Sequence, residues 1–344
     1  DLASPWELSD LKEAVARILQ ALELKEHILV YGDYDVDGIT GTALLTSVLK
    51  QMGGDVSYYI PHRFQEGYGL NKKAIERAKK EAHVDLIITV DCGIASRLEV
   101  DFGRELGLDF IITDHHEPGD LVPTGVPVIN PKIQGTSEVR DLAGVGVAFK
   151  MAQALCEAKG LPTHHGIYCG DNLDLVTLGT IADVVPLLGE NRILVKYGLP
   201  LLRESQRPGI KALIEVSGLT GKDLTTGQVA FALAPRINAA GRLGNATSAV
   251  ELLLTTSEQK AWELAKKLHG ENEKRQLIET QIYNEVCEKI EKEIDLTKEK
   301  VIVLASPLWH AGVIGIVASK ITERYHRPTI LLTVEGEEAR GSGR

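Results

Sequence analysis

A chain of 344 residues with 44% hydrophobic and 25% charged side chains has room for about two domains and an ordinary globular composition, which excludes disorder and fibrous repeats. Its uncharged apolar stretches reach only about ten residues, short of the ~20 a membrane-spanning helix needs, and no charged-then-apolar leader is read at the start. A net charge of −10, from 38 Lys and Arg against 48 Asp and Glu, argues against broad nucleic-acid binding through a basic surface, but not against a site where metal ions reverse the local sign.

The chain opens on Asp1 instead of Met, so it reads as a piece of something longer. In chain order, Ile28 to Tyr31 is a short apolar strand ending in an acidic loop, and a helical pattern follows from about Gly38 to Met52. Val56 to Ile60 is strand-like, Leu70 to Ala82 is an amphipathic helix, and Leu86 to Val90 is a strand ending at Asp91. A helix from about Ala95 to Leu106 leads to the strand Phe110 to Thr113, which ends at Asp114-His115-His116; Val126 to Ile129 reads as a further strand. Continuous β-branched runs alternating with helices predict a buried, mostly parallel sheet.

From Leu142 to about Ser217 the pattern is mainly helical. Glu258 to Asp295 contains no Pro and only Gly270 as a breaker, which predicts a long connecting helix with a kink near Gly270. Val301 to Leu304, a helix from about Val313 to Tyr325, and Thr329 to Val334 form a second strand-helix-strand unit. Gly341-Ser342-Gly343-Arg344 reads as a loop. The four cysteines (Cys92, Cys156, Cys169, Cys287) include no C-x-x-C pair and are too sparse for a disulfide framework, which fits a reducing, cytoplasmic setting.

The strongest chemical signal is where the acidic groups fall. Asp33, Asp35 and Asp37 follow the first strand, Asp91 the third, and Asp114, His115 and His116 the fourth. Ligands of an open parallel sheet bind in the crevice outside the carboxyl ends of its strands. Any one of these Asp residues reads most simply as a helix cap. Gathered at three strand ends they would repel one another unless cations or protons neutralise them, and divalent metal ions are the simplest answer.

Weaker patterns fail on detail. Asp33 to Gly38 begins like an EF-hand loop, but the twelfth position is Leu44 and a strand precedes it. Gly144-Val145-Gly146 lacks the third glycine of a dinucleotide fingerprint, Phe149 standing there, and reads as a tight turn opening a helix. Gly312 and Gly315 complete no Walker sequence. His164-His165 with Cys169 has no second ligand pair for zinc and reads as a solvent loop.

Tyr31-Gly-Asp-Tyr-Asp-Val-Asp-Gly38, Thr89-Val-Asp-Cys-Gly93, Thr113-Asp-His-His116 and Thr180-Ile-Ala-Asp-Val184 resemble, in order and spacing, the four motifs of the DHH phosphoesterase superfamily. The D-Y-D-V-D-G form and the stretch Pro235-Arg-Ile-Asn-Ala-Ala-Gly-Arg-Leu243 are similar to the RecJ family of 5′→3′ exonucleases specific for single-stranded DNA. Trp309-His-Ala-Gly-Val-Ile-Gly-Ile-Val317 and the closing Gly-Ser-Gly-Arg resemble the DHHA1 domain that follows in that family. The resemblance covers essentially the whole chain. It implies an α/β fold in which a parallel-sheet DHH domain (residues 1–190) connects through a helical region and long helix (191–295) to a smaller α/β DHHA1 domain (296–344), incomplete at its end.

It further implies two Mn²⁺ or Mg²⁺ ions bridged by Asp91, one completed by Asp35 with Asp33, the other by Asp37, His115 and Asp183. His116 would face the substrate phosphate, with Asp114 orienting the imidazoles. Many superfamily members carry His four positions before the residue matching Asp35; here Tyr31 stands there, so the motif does not fix the first ion's full ligand set. Arg63, Arg242, Ser342 and Arg344 would hold a 5′-terminal phosphate, since guanidinium forks suit phosphate oxygens. Arg236 and Asn238 are assigned to the substrate groove, Arg236 with bracing of the helical region as the alternative. His310 is assigned to substrate, with capping of the helix after it as the alternative.

The implied activity is hydrolysis of single-stranded DNA to 5′-mononucleotides in DNA repair and recombination, by a cytoplasmic monomer that touches no membrane and works beside a helicase or single-strand-binding protein. With 5% aromatic residues and nothing resembling the oligonucleotide-binding barrel of longer family members, DNA affinity is expected to be weak and salt-sensitive. Two other readings stand beside it. A small-substrate phosphodiesterase acting on short oligonucleotides or cyclic dinucleotides would carry a different first motif, and a non-catalytic replication scaffold would have lost acidic positions that are all filled here.

Overall fold

The computed structural model describes residues 2–134, 136, 138–164 and 167–344. The chain divides into two compact units, one of Asp1–Gly241 with Asn245–Leu268, the other of Arg242–Gly244 with His269–Arg344.

The first unit begins with α1 (Leu11–Leu24), then alternates β1 (His27–Gly32), α2 (Val36–Gln51), β2 (Asp55–Tyr59), α3 (Lys72–Lys80), β3 (Leu86–Val90), α4 (Arg97–Glu105), β4 (Asp109–Thr113) and β5 (Val128–Ile129). All neighbouring strands pair parallel, in the order β2-β1-β3-β4-β5. Such an order reverses direction between β1 and β3, which opens a crevice at their carboxyl ends. Helices follow: α5 (Pro131–Gln134), α6 (Gly144–Ala158), α7 (Leu173–Ala182), α8 (Gly189–Arg203), α9 (Pro208–Val216), α10 (Thr226–Gln228), α11 (Ala234–Leu243) and α12 (Thr247–Leu254), with a small hairpin of β6 (Thr163–His164) and β7 (Ile167–Tyr168) between α6 and α7. A π-helical turn, Val229–Leu233, joins α10 to α11 just before Pro235.

Side chains alternate across the sheet because successive Cβ atoms point to opposite faces. Ile28 and Val30 of β1 and Ile88 and Val90 of β3 enter the larger core with α1, α2, α6 and α7, whereas Leu29 and Tyr31 join Ile75, Val100 and Phe110 in the smaller one. The sequence reading omits α1, although Leu11, Ala14, Val15, Ile18 and Ala21 bury one helical stripe.

In the second unit, α13 (Glu258–Glu293) enters from residue 269 onward and is followed by β8 (Ile302–Ser306), α14 (Ala311–Tyr325), β9 (Thr329–Glu335) and β10 (Glu338–Gly343). The helix runs without a break through Gly270. Ile302 and Leu304 of β8, Leu331 of β9 and Val313, Val317 and Ile321 of α14 form a core with Ile282, Val286 and Ile290 of α13.

Two expectations need correction. Gly341-Ser342-Gly343 is strand, not loop: β10 pairs antiparallel with β9, Ser342 opposite Leu331, and the ladder pairs backbone groups along one side of this glycine-rich stretch. Cys156 and Cys169 are joined in a disulfide, a contact between α6 and the end of the β6–β7 hairpin that their spacing does not announce, while Cys92 and Cys287 are free and buried. That bond removes Cys169 from any zinc reading, and His165 lies outside the described residues.

Candidate metal centre

Four segments deliver the chemistry. After β1, Asp33 is buried, Asp35 caps α2 by accepting from Gly38 N–H (3.1 Å), and Asp37 is buried in the first turn of α2. Asp91 follows β3, buried, with a left-handed backbone (φ 61°). Asp114, His115 and His116 follow β4, held in register by Thr113, whose N–H and hydroxyl bond Thr89 on β3. Asp183 closes α7.

These side chains converge. His115 Nε2 lies 3.0 Å from Asp91 Oδ1 and 3.6 Å from both Asp37 Oδ2 and Asp183 Oδ2. Ligand atoms fall into three groups, each within 4.8 Å: Asp33, Asp35 and Asp91; Asp37, His115 and Asp183; and Asp91, His115 and His116. Asp91 Oδ1, Asp33 Oδ1 and His115 Nε2 are buried and none makes a well-aligned hydrogen bond, the 3.0 Å approach of His115 Nε2 to Asp91 Oδ1 included. A buried carboxylate oxygen left orphaned beside three others is costly in a protein interior, and a divalent cation satisfies all of them together. The donor set fits Mn²⁺ or Mg²⁺, with one imidazole among carboxylates.

The proton affinities carry the same strain. Burial pushes Asp33 up to about 8 and Asp37 to about 7, each aggravated by the charge of Asp35, and burial with Asp37 pushes Asp183 to about 7. Asp91 is raised well above the usual carboxylate range by burial and by Asp37, Asp35 and Asp33. Asp114 goes the other way: burial raises it, but bonds from His116 Nδ1 (2.7 Å), Ile94 N–H (2.9 Å), His115 N–H (2.7 Å) and His116 N–H (3.1 Å) outweigh that and keep it ionised. Burial lowers His115, leaving a neutral imidazole suited to a metal, whereas the bond to Asp114 raises His116.

Other residues complete the frame, and of these the sequence reading assigns only Asn238, to the substrate groove. The N–H groups of Gly144 (2.6 Å) and Val145 (2.7 Å), opening α6, grip the Asp37 carboxylate. Tyr68 reaches Asp91 and His116 through its hydroxyl. Asn238 Oδ1 accepts from Val36 N–H (3.2 Å), so α11 braces the loop carrying Asp35, and a Cβ on Gly241 would stand 2.6 Å from Tyr34 O. Tyr31 is no part of the cluster: its hydroxyl donates to Gly69 O (3.0 Å) and accepts from Asn71 Nδ2 (3.1 Å).

The remaining candidates separate by unit. In the first, the Arg63 guanidinium lies 4.9 Å over the Tyr34 ring, and Arg236 Nη1 donates to Ala232 O (2.5 Å) in the π turn. In the second, Arg242 Nη1 donates to Gly312 O (3.1 Å), and a Cβ on Gly315 would lie 3.0 Å from Ser342 Oγ and 3.3 Å from Arg344 Nη2, so these three side chains gather at the first turns of α14. His310 caps that helix, Nδ1 accepting from Gly312 N–H (3.0 Å). Among the described residues no helix is long and apolar enough to cross a membrane.

Comparison with known proteins finds relatives over nearly the whole chain. The DHH family, N-terminal domain, matches residues 27–180. The single-stranded-DNA-specific exonuclease RecJ of Bacillus subtilis is 44% identical over 348 residues, which cover 100% of this chain and 43% of that protein. The chain therefore spans about half the length of the curated relatives it matches. A crystal structure of exonuclease RecJ bound to manganese superposes with a TM-score of 0.84 at 42% identity, covering 94% of this chain and 80% of that one. RecJ from Thermus thermophilus in complex with Mn²⁺ gives a TM-score of 0.81 at 40% identity, over 95% of this chain and 46% of that one.

Proposed function

The chain belongs to the RecJ family of DHH proteins, and from that premise we propose that it is a metal-dependent 5′→3′ exonuclease, hydrolysing single-stranded DNA to 5′-mononucleotides in DNA repair and recombination. The observation that carries the reading is the set of orphaned ligand atoms, Asp33 Oδ1, Asp91 Oδ1 and His115 Nε2, among carboxylates that only cations or protons can neutralise.

In this reading Asp91 would serve both of two ions, Asp33 and Asp35 would hold one, and Asp37, His115 and Asp183 would hold the other. Two Mn²⁺ or Mg²⁺ ions would supply a nucleophilic water at neutral pH and charge neutralisation for an in-line displacement at phosphorus. Asp114, kept ionised by its donors, holds the Nδ1 proton of His116 and leaves Nε2 to meet a phosphate oxygen. Arg63, Arg242, Ser342 and Arg344 take the 5′-terminal phosphate, which sets polarity; Arg236, Asn238 and His310 line the path of the strand. Residues 1–190 form the DHH domain, 191–295 the helical connection and 296–344 the DHHA1 portion. The protein acts as a monomer in the cytoplasm beside a helicase or single-strand-binding protein.

Digestion of 5′-labelled and 3′-labelled single strands with Mn²⁺, with and without chelator, tests the reading. Stepwise loss from the 5′ end that chelator stops and Asp91→Ala abolishes is the expected result. Loss from the 3′ end, or cleavage indifferent to metal, overturns it.

A further inference from the structure

Tyr68 is not a usual ligand for Mn²⁺ or Mg²⁺, yet its placement is tightly specified. It stands between Gly67 (φ 83°) and Gly69 (φ 81°), both in the left-handed region where a side chain would strain the backbone. The loop is fastened from behind by Tyr31, through Gly69 O and the Asn71 side chain. Tyr31 therefore secures the loop that presents Tyr68.

From that loop the Tyr68 hydroxyl donates to the main-chain oxygen of Asp91 (3.0 Å) and lies 3.0 Å from His116 Nδ1, with the two rings edge to face at 5.6 Å. Asp114 Oδ1, ionised, stands 2.7 Å from the same nitrogen. The Nδ1 proton therefore points at Asp114, the phenol oxygen accepts a share of it, and the phenol's own proton goes to the Asp91 carbonyl. Both ends of this bridge matter. Asp91 sits at φ 61°, a conformation that costs a non-glycine residue ~1–2 kcal/mol and needs outside support. His116 is half-exposed, and one hydrogen bond alone leaves its ring free to swing about that bond.

The geometry points to Tyr68 as a positioning residue whose hydroxyl clasps Asp91 to His116, fixing the shared carboxylate and the phosphate-facing imidazole relative to each other. The inference rests on the exonuclease reading only for its kinetic consequence; the clasp itself is a property of the metal-free protein. The alternative use of a half-exposed tyrosine beside a nuclease site is as a stacking platform for a base, and the two make different demands. A platform needs the ring, whereas a clasp needs the oxygen.

The test is Tyr68→Phe in the intact chain, which keeps the ring and loses the hydroxyl. The single-turnover rate should fall roughly 10–100-fold, the range for loss of a hydrogen-bond partner behind a ligand, with KM for a single-stranded oligonucleotide unchanged. In the metal-free protein the ¹⁵N resonance of His116 Nδ1 should move, with a native circular dichroism spectrum and a melt lowered by no more than the loss of one hydrogen bond allows. Gly67→Ala, whose Cβ meets nothing within 4 Å, strains the loop without removing the hydroxyl and should move the same resonance. A Tyr68→Phe protein with unchanged rate and unchanged imidazole signals overturns the clasp, as does raised KM at unchanged rate, which assigns Tyr68 to substrate. If the chain cleaves no DNA but the His116 resonance still moves in Tyr68→Phe, the nuclease reading falls and the clasp stands.

Discussion

Asp37 and Gly144, 107 residues apart in sequence, meet through a 2.6 Å hydrogen bond from the Gly144 N–H to the Asp37 carboxylate. The first two N–H groups of α6 and the positive end of its dipole face that carboxylate, which holds down a charge that burial beside Asp35 would otherwise suppress. The same residue leaves room for Asp91: a Cβ on Gly144 would lie 2.6 Å from Asp91 Cβ and 2.7 Å from its Oδ1.

Gly144→Ala should therefore damage the metal centre while leaving the fold. Helix propensity favours alanine, so any loss reflects displacement of Asp91 or of the α6 N-terminus. We expect Mn²⁺ affinity to drop roughly 10–100-fold by calorimetry with a native circular dichroism spectrum. Unchanged affinity would show that Asp91 accommodates the methyl group.

The brace from α11 makes a second prediction. Asn238→Ala leaves Val36 N–H without its side-chain acceptor at the start of α2, at a cost of about 1 kcal/mol. Gly241→Ala drives a methyl group to within 2.6 Å of Tyr34 O and should shift the loop that carries Asp33 and Asp35. Both should weaken Mn²⁺ binding although neither residue reaches the ions. Chemical denaturation and metal titration of the two variants check this, and full retention of affinity in Gly241→Ala would refute it.

Metal should stabilise the protein markedly, because it relieves carboxylate repulsion present only in the folded chain. At 100 times its dissociation constant an ion adds ~2.7 kcal/mol, and for units of this size ~1 kcal/mol moves Tm by ~2–4 °C. A melt with Mn²⁺ should sit several degrees above one with chelator. Asp91→Asn should raise the metal-free Tm by removing a carboxyl that burial among other acids penalises, and abolish the metal-induced rise; a variant that still gains stability from Mn²⁺ would contradict the shared role of Asp91.

The pH dependence has a definite sign. In the metal-free fold Asp33 titrates near about 8, and Asp37 and Asp183 near about 7, all raised by burial among like charges above the ~3.9 of an unfolded Asp. Between these limits the native state holds more protons than the unfolded one. Stability from these groups is therefore full below about pH 4 and is lost as pH rises through about 7 to 8. Ions compete with those protons, so Mn²⁺ binding should release protons and tighten from about pH 6 to about pH 8. Calorimetry in two buffers of different ionisation heat measures the release, and affinity independent of pH would count against it.

Val184, next to Asp183, is β-branched, 84% exposed and held at φ 61°. That backbone strains a β-branched residue, and a side chain this exposed makes little contact to offset the cost. Val184→Gly should be neutral or stabilising by up to about 1 kcal/mol in chemical denaturation. Clear destabilisation would mean that the valine packs against something.

The acidic cluster was legible because a parallel sheet brings every strand's carboxyl end to one edge, so residues following Gly32, Val90 and Thr113 had to become neighbours. Strand and helix types in the first half follow from local period and β-branched runs, signals carried within ten residues. Asp183 came from motif likeness and not from such patterning, since it closes a helix and no strand announces it.

What escaped the linear reading is contact between segments far apart in the chain. The grip of Gly144 on Asp37, the reach of Tyr68 to His116, the turning aside of Tyr31 toward Gly69, the Cys156–Cys169 bond and the pairing of Ser342 with Leu331 each depend on where the backbone brings partners together. Local composition encodes which side chains can ionise, bury or bond. Which oxygen meets which nitrogen is set only once the cores have packed, because a hydrogen bond tolerates errors of a few tenths of an ångström and no spacing along a chain resolves that.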